Sequence, residues 1–366
     1  MSPATPQTTN LQTVIRRSPW LFSCPVDLAA FLGSAVLALG LLAVGKPLGL
    51  LHADSPEWTW VTAVLLIDVA HVYATGFRVY FVREELHRRT WLYTLAPLLS
   101  FLIGLAVYSE SPAVFWRLLA YLAVLHFVRQ QAGWVSLYRT RGNEREPIGR
   151  WIDTLAIYLA TVYPLVHWHA HLPRDFWWFR EHDFAPVPSL LVVGITPVYW
   201  LTMVAYAGRS VWRGVARQEW NIGKDIVVIS TALCWYLGII TFNSDYAFTV
   251  TNVIIHGVPY MVLVYWYRWH RSGFRRTRGK LVSRPAAFVG LIWVLAYVEE
   301  MLWDRGVWHE REWLFGSAWY LGRIELLLVP LLAVPQLTHY ILDGFIWRRR
   351  SNHGFAEMLL QQGSSE

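Results

Sequence analysis

Four histidines stand within long apolar runs of this chain: His71, His126, His256 and His339. Each has polar company at helical spacing. Asp68 precedes His71 by one turn, and Thr75 and Arg78 continue the same face. Arg129 and Gln130 follow His126, Asn252 precedes His256 by four residues, and Gln336, His339 and Asp343 make one stripe. A metal-binding imidazole usually gives its second ring nitrogen to a carboxylate or carbonyl, which fixes tautomer and direction. These residues read as a metal centre. His71, His126, His256 and His339 are the proposed ligands, with Gln130, Asn252 and Gln336 around them. Asp68 and Asp343 bind directly or steady the rings, and with Arg129 they form the candidate catalytic set. The fixed fork of donors on Arg129 suits a carboxylate or other polar group of a substrate.

The elements that must position these side chains are membrane spans. The chain has 366 residues, 55% of them hydrophobic and only 16% charged. A soluble domain carries about a quarter charged residues. Apolar runs of about 20 residues recur throughout, which makes this an all-α, polytopic membrane bundle. Ten spans are expected, at 27–46, 58–82, 91–109, 112–138, 150–168, 187–208, 222–242, 246–268, 284–303 and 324–347. Residues 1–26 read as a tail, with Trp20-Leu21-Phe22 as a short interfacial piece, 27–349 as the membrane domain, and 350–366 as a second tail. That second tail begins as a short amphipathic segment.

Charge sets the orientation. Connections such as REELHRR, RTRGNEREPIGR and RWHRSGFRRTRGKLVSR alternate with acidic or mixed ones such as HADSPEW and NSD. Basic loops stay in the cytoplasm, so both termini are expected there, in an inner or plasma membrane. The four histidine-bearing spans then all run inward. Their first cytoplasmic arginines, Arg83, Arg139, Arg268 and Arg348, lie 12, 13, 12 and 9 residues beyond the histidines. At about 1.5 Å per residue this is roughly 14–20 Å, near the middle of the hydrocarbon. Four imidazoles at one level can meet.

Several functions are excluded. The net charge of +7 sits in short loops between spans, which points to anionic lipid headgroups and away from nucleic acid. Two cysteines, Cys24 and Cys234, rule out a thiolate metal site. No phosphate-binding loop, dinucleotide fingerprint or G-x-S-x-G elbow occurs. The clustered H-x-x-x-H and H-x-x-H-H boxes of membrane desaturases are absent too. The scatter of single histidines over separate spans resembles, in general design only, that of membrane-embedded carotenoid-cleaving dioxygenases.

Iron or copper is the expected metal, because a dry site in the bilayer receives both oxygen and a lipophilic small-molecule substrate. The expected activity is that of an integral-membrane oxidoreductase. Haem held by two of the histidines, in an electron-transfer protein, is one alternative. A transporter or channel for a metal ion, proton or small solute, lined by the same residues, is another. Outside, His167, His169 and His171 alternate, and in an extended chain would face one ion as a capture site. The other reading is an aromatic-rich interfacial loop. Glu84 and Glu85 read as part of a solvated charge network with His87, Arg88 and Arg89.

Overall fold

The computed structural model of the protein describes residues 18–270, 280–348, 350 and 352–361. Arg16-Arg17, nearly all of the basic segment Gly273–Lys280, Arg349 and the last five residues lie outside that description. Among the described residues there are thirteen helices and no strand. Nine helices are long and apolar enough to cross a membrane: α1 (Cys24–Gly45), α2 (Glu57–Arg78), α4 (Thr90–Glu110), α5 (Pro112–Arg141), α7 (Leu190–Ala216), α8 (Ile222–Thr241), α9 (Asp245–Trp269), α10 (Arg284–Trp308) and α12 (Gly322–Ile346). The expected fifth span is present as α6 (Pro147–Ala170), 24 residues long and packed along α5, α7 and α8. Arg150, Asp153, His167 and His169 make it less apolar than the other nine. The short helices are α3 (Arg83–Arg88), α11 (Glu312–Phe315) and α13 (His353–Gln361).

Local sequence explains the boundaries. Ser111 caps α5, accepting from Val114 N at 3.3 Å, and Pro112 takes the first helical position, where its missing N–H costs nothing. Asn221 caps α8 by accepting from Lys224 N. α12 breaks at Ala333, between Pro330 and Pro335, so the segment carrying His339 and Asp343 starts afresh at Val334. Leu37, Ile103, Val193 and Leu201 stay exposed on the outer faces of α1, α4 and α7, as lipid-facing side chains do.

Two features bring the site helices together. First, a methyl group on Gly257 would lie 2.6 Å from Ile67 Cγ2 and 3.1 Å from the Ile67 carbonyl oxygen. Only glycine lets α9 approach α2 this closely, in the manner of small-residue contacts in membranes. Second, α2 and α9 carry π-helical stretches, Trp60–Val69 and Thr249–Val253, directly before their histidines. Such stretches rotate the rest of the helix about its axis and collect at functional sites.

The end of the bundle that carries Arg139 is tied by buried charges. Lys224 Nζ lies 2.7 Å from Glu144 and 3.0 Å from Asp153, Arg139 and Arg209 pair with Asp153, and Arg213 pairs with Glu144. Glu85 is buried as well, which differs from the expected solvated network. It meets Arg78 at 3.2 Å, Arg88 at 2.6 Å and the Tyr93 hydroxyl at 2.6 Å. Leu21 and Phe22 likewise pack into the core beside Trp134 and Tyr138 instead of lying at an interface. Arg141 donates to the carbonyls of Trp20 at 3.0 Å and Leu359 at 2.6 Å, so both ends of the described chain lie at this end of the bundle. Amphipathic α13 buries Phe355 and Leu359 there.

Burial works to raise the Glu144 carboxyl, but Lys224, Asn221 and Arg213 outweigh it and hold it below its ordinary value of 4.5. Its stabilising contribution is therefore complete above that value and is lost as pH falls through the lowered one. Glu144→Gln is expected to cost about 3–5 kcal/mol at neutral pH by leaving buried cations unpaired. Thermal unfolding of the two proteins across pH checks this: the gap should close at acidic pH, below the lowered value.

Candidate metal centre

The four histidines meet. His71 comes from α2, His126 from α5, His256 from α9 and His339 from α12, and each is at most 5% exposed. His71 Nε2 lies 3.2 Å from His256 Nε2, and His339 Nε2 lies 3.1 Å from His126 Nε2. The ring of His71 also stands edge-on to that of His339, centroids 4.9 Å apart. Two nitrogens bound to one ion at about 2.0–2.1 Å sit roughly 3–3.4 Å apart, so both pairs match a shared cation. Taking one ligand atom from each residue, His71, His126 and His339 lie within 4.8 Å of one another, and so do Asp68, His71 and His256. Either group could hold a metal ion, and His71 belongs to both.

The surroundings orient the rings. His339 Nδ1 lies 2.7 Å from Thr75 Oγ1, which lies 3.0 Å from the Tyr260 hydroxyl. If His339 Nε2 is the ligand atom, Nδ1 carries the hydrogen and donates to Thr75, and Thr75 passes its own to Tyr260. Asp68 Oδ1 stands 3.6 Å from His71 Nδ1, and Asp343 Oδ2 stands 3.9 Å from His126 Nδ1. Both are ion-pair distances, longer than a hydrogen bond. Asp343 is steered by Trp347, whose Nε1 donates to Oδ1 at 2.7 Å. Phe127 stacks on His256 with centroids 3.7 Å apart, and Tyr340 backs His126 at 4.6 Å. His71 Nδ1, His256 Nδ1, Asp68 Oδ1 and Gln130 Oε1 are buried without a hydrogen-bond partner. Each such buried polar atom calls for an explanation, and an ion shared by the rings supplies one.

The other expected residues divide. Gln130 supports the backbone of His256, with Nε2 donating to its carbonyl at 2.8 Å. Gln131 reaches the Ile255 carbonyl at 3.5 Å, which Pro259 leaves without its helical donor. Gln336 donates to the Tyr340 hydroxyl at 2.7 Å and so steadies the ring behind His126. Asn252 does not support the His256 ring. Its amide donates to the Phe248 carbonyl at 3.0 Å, because the π stretch breaks the four-residue alignment between the two. Spacing alone assigns no role to Tyr260, Phe127 and Tyr340, whereas Thr75 shares the face of His71, which is the signal that points to it.

His167, His169 and His171 do not face one point. The segment is helical to Ala170, so alternate residues diverge. His167 and His171 stack with centroids 4.0 Å apart, while His169 turns inward to Tyr121 Oη at 3.1 Å. No candidate metal group includes them among the described residues.

The centre opens on a cleft of about 1190 Å³ between α4, α5 and α12. His126, Tyr260, Tyr340 and Asp343 form its inner wall, and Leu99, Ile103, Leu122 and Leu125, all exposed to the outside of the bundle, form its flanks. The all-helical, multi-pass fold and the buried histidine centre define a polytopic membrane protein able to hold a metal ion. No family model, no curated protein and no solved structure matches this chain.

Thr75→Val keeps the shape and removes the hydroxyl. Loss of such a supporting hydrogen bond lowers metal affinity by about 10–100-fold. Titration of the purified variant with a metal ion under chelator competition should show that drop. An unchanged affinity would mean that Thr75 does not support a ligand.

Proposed function

We propose that this protein is an integral-membrane metalloenzyme, an iron- or copper-dependent oxidoreductase acting on a lipophilic substrate drawn from the bilayer. One observation carries the reading: His126, a member of the buried four-histidine cluster, lines the inner wall of an apolar cleft whose flanks are exposed on the outside of the bundle. The donor set of imidazole and carboxylate, with both cysteines elsewhere, favours iron or copper for redox work. Bound there, the metal would supply the redox chemistry. The chain's own residues do the rest. Thr75 and Tyr260 fix the His339 ring, Asp68 and Asp343 stand ready to take the Nδ1 hydrogens of His71 and His126, and the leucine walls keep water out.

The same reading sets ten crossings with both termini in the cytoplasm. Entry into α1 and exit from α12 at the end of the bundle that carries Arg139 and Arg141 support an even number of crossings. Nine apolar helices plus α6 meet that condition.

Elemental analysis and an optical spectrum of the detergent-purified protein test the proposal. Iron or copper near one ion per chain is expected, or two if both groups fill, without a haem band. His71→Ala/His256→Ala should lose most of the metal while keeping the helical circular-dichroism signal. Full retention of metal in that variant, or metal-independent solute flux in vesicles, would contradict the enzyme.

A further inference from the structure

One charged group on the α5 wall of the cleft has no partner among the described residues. Arg129 is exposed, lines the cleft, and makes no hydrogen bond or ion pair among the described residues. Arg139, Arg209 and Arg213 contrast with it, since each has a carboxylate. Arg129 also lies ten residues before Arg139, about 15 Å of helix, too deep for its side chain to reach the water beyond the span. A guanidinium at that depth is costly unless an anion meets it, and intramembrane charges of this kind mark ligand pathways.

We propose that the cleft binds a single-chain amphiphile with a carboxylate head. The head pairs with Arg129, and the tail lies along Leu125, Leu122 and Leu118 toward the start of α5. Three features select this molecule. A lone guanidinium offers one fork, which a carboxylate fills with two parallel bonds and a single neutralising charge. The wall from Arg129 to Phe115 is about 21 Å of helix, almost wholly apolar, the length and character of an extended acyl chain. Arg348 and Arg350 line the cleft at the end of α12, where an anionic head arriving from the headgroup layer would first be met. His126 lies one turn from Arg129, so the carbons nearest the head are the ones presented to the metal centre. This deepens the proposed function and rests on it for the fate of the bound molecule; the binding itself needs only the cleft.

The test uses the full chain in detergent with tritiated palmitate, competed by palmitate, methyl palmitate, hexadecanol and hexadecyl phosphate. Palmitate should displace the probe at least about tenfold better than each of the others. Arg129→Gln should weaken palmitate binding by about 10–100-fold, as loss of a charged hydrogen-bonded partner does, and Arg129→Lys by less. Equal binding by Arg129→Gln overturns the proposal, as does equal competition by the methyl ester or better competition by the phosphate. Metal is measured on the same preparations. Arg129-dependent binding by metal-free wild-type protein would sink the enzyme and leave this assignment standing. Metal in place with no effect of Arg129→Gln would do the opposite.

Discussion

In hydrocarbon, a polar side chain has only other protein groups or a ligand to satisfy it. Four imidazoles in mid-span therefore cannot be distributed at will, and the bundle is arranged so that they satisfy one another or a shared ion. The Nε2 contacts of 3.1 and 3.2 Å join α12 to α5 and α2 to α9. Thr75 then links α2 to α12 through His339, and Gln130 links α5 to α9 through the His256 carbonyl. The four helices are joined at one level by polar contacts, and apolar packing fills in around them. Since lipid offers no hydrophobic drive for helix association, packing and polar contacts such as these hold the helices together.

The backbone departs from regular geometry where this convergence needs it. The π stretch of α2 ends just before His71 and that of α9 just before His256. Gly257 brings the two backbones together at the same height, and the break at Ala333 resets the phase of α12 ahead of His339. Three of the four histidine-bearing helices thus carry an irregularity close to the residue that matters. The fourth, α5, is regular for 30 residues, and its sequence holds His126, Arg129 and Gln130 on adjoining faces.

Much of this is legible in the sequence. Apolar runs give the spans because hydrocarbon thickness sets their length. The depth of each histidine comes from counting to the nearest arginine, and the shared face of Asp68, His71 and Thr75 comes from helical spacing. The illegible part depends on distant partners or on local irregularity. The buried Glu144 and Glu85 look like ordinary loop charges until Lys224 and Arg78 are folded against them. Asn252 is misread because a π turn looks like any other helix in sequence. His169 is misread because alternation suggests an extended strand where a helix continues. Tyr260 and Phe127 are two aromatic residues among many, and only the packing singles them out.

The central claim is that one metal ion is held by imidazoles from separate helices in the middle of the membrane. X-ray absorption at the metal edge of the purified, metal-loaded protein tests it most directly. The account predicts a first shell of nitrogen and oxygen at about 2.0–2.1 Å, with the outer-shell scattering of at least three imidazole rings. A first shell containing sulfur, or one with oxygen alone and no imidazole signature, would contradict it.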